Sequence, residues 1–81
     1  MNQIEIIGES GELVFNTRFY GKGAIEKAAL DYKDVCDTEI LEEVNNRVIV
    51  RIFPKTDEIG LSTICHEFYN YVLGLMQNAV F

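Results

Sequence analysis

The run Cys65-His66-Glu67 sets a thiol, an imidazole and a carboxylate side by side, the side chains that nucleophilic or metal chemistry asks for. A thiolate nucleophile needs a base within hydrogen-bond reach, and zinc needs four ligands, usually in short paired spacings such as Cys-x2-Cys. Neighbouring residues on a helix point about 100° apart around its axis, so these three cannot converge on one atom. His66 is the sole histidine and Cys36 the only other cysteine. A Cys–His pair therefore forms only if the fold brings Cys36 or Cys65 against His66.

Asp31, Asp34, Asp37, Glu39, Glu42 and Glu43 are the other dense group. They lack the alternating Asp-x-Asp-x-Asp-Gly loop and the glutamate at its twelfth position, so they read as a solvated acidic edge and not as a calcium site. Gly21-Lys22-Gly23 lacks the upstream glycine and the Ser/Thr of a phosphate loop; its glycines let the chain turn from strand into helix. The residues assign no catalytic group, no metal and no cofactor. Two function classes stay open: a binding module, and a small thiol-dependent enzyme assembled only in three dimensions.

Composition sets the bounds. The chain of 81 residues makes one domain, 1–81, of ordinary globular apolarity at 48% hydrophobic. A net charge of −6 with scattered Lys and Arg argues against nucleic acid and against an anionic membrane surface. Met1-Asn2-Gln3-Ile4-Glu5 has no basic or apolar leader region, which points to a cytoplasmic chain with reduced thiols. The apolar stretch 59–81 is interrupted by His66, Glu67, Asn70, Gln77 and Asn78, so no membrane span is expected.

Alternation and turn residues then give the elements that would carry any site. Residues 4–7 and 12–16 flank Gly8-Glu9-Ser10-Gly11; with all four as the loop, Ile6 faces Leu13 and Ile4 faces Phe15. Residues 38–43 and 47–53 flank Val44-Asn45-Asn46. A three-residue loop sets Ile40 opposite Val50, joins Glu43 to Arg47 and Glu39 to Arg51, and puts Asn46 in the left-handed conformation. Pro54 ends that strand. Ile25, Ala28, Ala29, Tyr32 and Cys36 form one stripe of a helix over 23–36. Thr56-Asp57 caps a longer helix whose core stripe is Leu61, Ile64, Cys65, Phe68, Val72, Leu75, Met76 and Ala79.

The order is ββαββα. It describes an α+β domain, an antiparallel four-stranded sheet with two helices packed on one face, burying Ile4, Ile6, Leu13, Phe15, Ile40, Val48, Val50 and Ile52. A ferredoxin-like βαββαβ layout would need a closing strand after the last helix, where few residues remain. Apolar surface exceeds what one such core absorbs. Tyr69, Leu73, Met76 and Val80 make a second stripe on the long helix, either a wide core edge or a seam for a protein or peptide partner or a second copy. The far sheet face, with Ile7, Val14, Leu41, Ile49 and Phe53 among Glu5, Glu12, Glu39, Arg47 and Arg51, is the lesser option.

Tyr20, then Ala24-Ile25 and Ala28-Ala29, then the Val48 to Phe53 strand, then Glu67-Phe68-Tyr69-Asn70-Tyr71-Val72-Leu73, resemble the HxsD family of His-Xaa-Ser system proteins. Gly74-Leu75-Met76-Gln77 follow where the family carries an Asp-Tyr-x-Leu-Arg ending. The resemblance implies a non-enzymatic accessory protein beside radical-SAM enzymes that modify a ribosomally made peptide. Its partner would be the radical-SAM maturase or the precursor peptide.

Overall fold

Gly8 reverses the chain with φ +62°, in the left-handed region that glycine enters without a Cβ penalty. A computed structural model describes residues 4–18, 21–42 and 45–78 of the chain. Its elements run β1 (Ile4–Ile7), β2 (Ser10–Asn16), α1 (Lys22–Asp31), β3 (Cys36–Glu42), β4 (Arg47–Pro54) and α2 (Leu61–Asn78). The four strands form one antiparallel sheet in the order β1-β2-β4-β3, so the two hairpins meet through their second strands. This is the expected α+β, ββαββα arrangement.

The first hairpin differs from the expected four-residue loop. The turn is Gly8-Glu9 alone, and Ile7 pairs with Ser10, Ile6 with Gly11 and Ile4 with Leu13. Glycine at the first central position suits a tight two-residue turn, which releases Ser10 and Gly11 into β2. The slip is by two residues, an even number, so Ile4, Ile6, Leu13 and Phe15 still share a face. Ile6 is nonetheless 45% exposed and not in the core, because among the described residues β1 is an edge strand with no strand beyond it.

The second hairpin keeps the expected register, with Glu42 opposite Val48, Ile40 opposite Val50 and Glu39 opposite Arg51. Both Asn45 (φ 66°) and Asn46 (φ 61°) are left-handed, where Asn46 alone was expected; asparagine is among the few residues that tolerate this. The Glu43–Arg47 pair lies outside the described residues. β4 ends at Pro54, opposite Cys36.

The helix over 23–36 stops at Asp31. The backbone N–H groups of Val35 and Cys36 both donate to the Tyr32 carbonyl (2.9 and 3.0 Å), and Cys36 opens β3. Cys36 lies in β3 on the sheet face that the helices cover and is buried in the shared core, so its apolar character continued the helical stripe without its belonging to the helix. Thr56 does not cap α2. Its Oγ1 accepts from the Glu58 N–H (3.1 Å) in a local turn, and the helix begins at Leu61 with the Ile64 N–H on the Gly60 carbonyl (3.0 Å).

One face of the sheet carries the core. Leu13, Phe15, Val48, Val50 and Ile52 pack with Ile25 and Ala28 of α1 and with Ile64, Cys65, Phe68 and Val72 of α2. Ile4 and Ile40 are half-buried against it; Ala79 lies outside the described residues. Gly11 marks the closest approach of α2, since a Cβ there would collide with the Cys65 Sγ. Among the described residues no helix covers the other face of the sheet. Among the described residues no helix is long and apolar enough to cross a membrane.

Candidate functional site

The groups with reactive chemistry are buried or turned apart. Cys36 and Cys65 are free thiols, 1% and 0% exposed. Burial pushes both upward, Cys65 to about 11 with a further contribution from Cys36; for Cys36, Asp37 adds to the rise and Lys55 opposes it. A thiol so placed holds almost no thiolate at neutral pH. His66 is exposed, and its Nδ1 lies 2.7 Å from the Ser62 carbonyl, one turn back along α2. Adjacent to Cys65 in sequence, it points around the helix to solvent while Cys65 points to the core. Among the described residues no three His, Cys, Asp or Glu side chains gather as metal ligands would.

The stripe Tyr69, Leu73, Met76, Val80 divides. The Tyr69 ring stacks on Phe15 of β2 (centroids 4.9 Å, interplanar angle 14°) and is half-buried. Met76 is half-buried too, and its Sδ accepts the Gly21 N–H at 3.1 Å, where the chain enters α1. Leu73 stays 37% exposed. Val80 lies outside the described residues. On the opposite shoulder of α2, Tyr32 of the α1 C-terminus meets Phe68 edge-on (5.4 Å) and Tyr71 at a tilt (5.3 Å). The Tyr71 hydroxyl donates to Asp31, which holds that carboxyl below its usual range and raises the tyrosine.

Exposed apolar side chains collect at the Gly8-Glu9 end of the sheet. Ile6 (45%), Ile7 (49%), Phe53 (40%) and Ile59 (37%) stand open there. An open groove of about 700 Å³ runs between the turn and the segment leading into α2, walled by Ser10, Phe53, Pro54, Ile59 and Leu61, with Glu9 and Asp57 also lining it. Phe53 was legible on the far face from strand alternation. Ile59 was not, because an isolated apolar residue between a strand and a helix has no period to betray it.

The far face reads in rows across the strands. Val14, Ile49 and Leu41 form an apolar row, each half-buried. Beside it runs Glu5, Glu12, Arg51, Glu39. Arg51 answers two of these acids, with Nε 2.7 Å from Glu12 and a terminal nitrogen 3.8 Å from Glu39. Asp37 is met by Lys55 at 3.3 Å. Glu5 stands opposite Glu12 with no cation facing it among the described residues.

Comparison of the chain with family models, with curated proteins and with solved structures found no match.

Proposed function

We propose that this domain is a non-enzymatic binding module that docks a protein or peptide partner at the turn end of its sheet. One observation carries the reading: Phe53 and Ile59, both more than a third exposed, line one groove with Leu61, while Ile6 and Ile7 stand exposed on the two faces of β1 at the same end of the sheet. The sole imidazole and both thiols are kept apart from that groove's lining. Scattered apolar residues are ordinary on a surface, but several around one concavity are the usual mark of an interaction site.

The resemblance to the HxsD family supplies the partner in this reading: a radical-SAM maturase or the precursor peptide it modifies, in the cytoplasm, where two buried reduced thiols are at home. Co-expression with such an enzyme and peptide tests it. The domain is expected to copurify with one of them, and Ile59→Asp or Phe53→Asp to abolish the complex without lowering the melting temperature by more than a few degrees. Complexes that survive both substitutions would sink the site, and absence of any complex would sink the accessory role.

Leu73 favours a second reading, self-association along α2. Sedimentation of the wild type and of Leu73→Asp distinguishes it: a dimer that the substitution disperses supports the seam through Tyr69, Leu73, Met76 and Val80. A thiol-dependent enzyme is disfavoured by the burial of Cys36 and Cys65 and by their upward shift.

A further inference from the structure

The two edges of the sheet are not alike. On β3, the far-face acids Asp37 and Glu39 have cations in reach, Lys55 and Arg51. On β1, Glu5 is exposed and stands opposite Glu12, with no cation facing it among the described residues. The row from β3 to β1 therefore runs acid, base, acid, acid, and stops at an open edge where a base would continue the alternation. β1 also lacks the lysine, proline or bulge that commonly guards an edge strand.

The register decides which backbone groups that edge presents. Ile7 and Ser10 flank the two-residue turn and so exchange ladder hydrogen bonds, and the next such pair along an antiparallel ladder is Glu5 with Glu12. Ile4 and Ile6 therefore direct their N–H and C=O groups away from β2, toward the open side. Their side chains share the helix-covered face, with Ile4 half-buried and Ile6 45% exposed.

We propose that β1 is a strand-docking edge for an extended segment of a partner protein with the pattern apolar–basic–apolar, running antiparallel to β1. The two apolar residues exchange backbone hydrogen bonds with Ile4 and Ile6 and lie beside them on the helix side. The basic residue between them falls opposite Glu5, in the non-hydrogen-bonded pair where side chains come closest. Strand addition of this kind takes affinity from the backbone and selectivity from alternate side chains. Within the described strand, residues 4–7, a second copy fits badly. Pairing Ile4 with Ile6 of the copy sets Glu5 against Glu5, extending two acids to four in one row between chains of net charge −6. Pairing Ile6 with itself runs Ile4 into the Gly8 turn. The inference rests on the binding-module reading and specifies the partner's segment.

The probe is a short fluorescein-labelled peptide, Thr-Val-Lys-Val-Thr, titrated into the full chain and read by anisotropy. Replacing its lysine with glutamate is expected to weaken binding roughly five-fold, the ratio that exchanging an opposite-charge for a like-charge cross-strand pair amounts to. Glu5→Lys should invert that preference. Methylating the two valine nitrogens should abolish binding, because those N–H groups face β1, while methylating the lysine nitrogen should leave it intact. The methylated peptides test the edge without altering the protein, whatever Glu5→Lys does to folding. No binding by the lysine peptide, equal effects of the two methylations, or a charge preference untouched by Glu5→Lys would each overturn the proposal. So would a dimer in sedimentation that excludes the peptide. Where a maturase or precursor peptide still copurifies despite such a result, the edge alone has failed and the binding-module reading stands.

Discussion

At the scale of single residues, Cys65 is a packing group held against backbone. Its Sγ occupies the space a side chain on Gly11 would need. Gly11→Ala should therefore destabilise the domain by about 1–3 kcal/mol, the usual range for overpacking. Urea titration of Gly11→Ala, of Cys65→Ala and of the double variant checks the cause: the double variant should lose less than the sum of the singles. The same burial has a pH signature. The folded Cys65 holds its proton up to about 11, above an ordinary 9.0, so the folded state keeps a proton that the unfolded chain releases. Stability from this thiol is complete below pH 9 and falls as pH rises through 11, by on the order of 2–3 kcal/mol. Denaturant midpoints across that window should decline more steeply for the wild type than for Cys65→Ala. An equal slope in both would show that other groups govern the alkaline limb.

At the scale of elements, the two hairpins differ in how far their residues announce them. The second was legible because one register brings Glu39 to Arg51 while keeping Ile40 with Val50, and both pairings are present. The first was not, because Gly8, Glu9, Ser10 and Gly11 are all good loop residues and nothing local says which two make the turn. Deciding it takes the helix above, which needs Gly11 in the strand. The end of α1 escaped for a related reason: a position buried by a helix and one buried by a sheet carry the same apolar residue, and Cys36 satisfies either. The groove was legible only in halves, its Phe53 from alternation and its Ile59 not at all. The turn itself is testable. Gly8→Ala forces a Cβ into a left-handed φ and should cost about 1–2 kcal/mol. Circular dichroism at low denaturant should show the fold retained, and urea midpoints should show the loss.

At the scale of the whole molecule, one layer of helices on one sheet leaves little reserve. A chain of this length is typically stable by only about 4–12 kcal/mol. Phe68 is fully buried and meets Tyr32 edge-on. Phe68→Ala, expected to remove about 3–5 kcal/mol, should take a large share of that margin and lower the melting temperature by more than about 10 °C. Leu30→Ala is the control: that side chain is 62% exposed, and its loss should stay within about 0.5 kcal/mol. Calorimetry that finds the two variants alike would contradict the core assigned here. The junction of β2 with β4 has one more consequence. Each half of the chain is a complete ββα unit, yet the ladder between them joins segments on either side of α1 and β3. Neither half has its full core until the other arrives. A cut in the Lys33-Asp34 turn would therefore leave two pieces that regain structure only when mixed, each serving as the other's missing template.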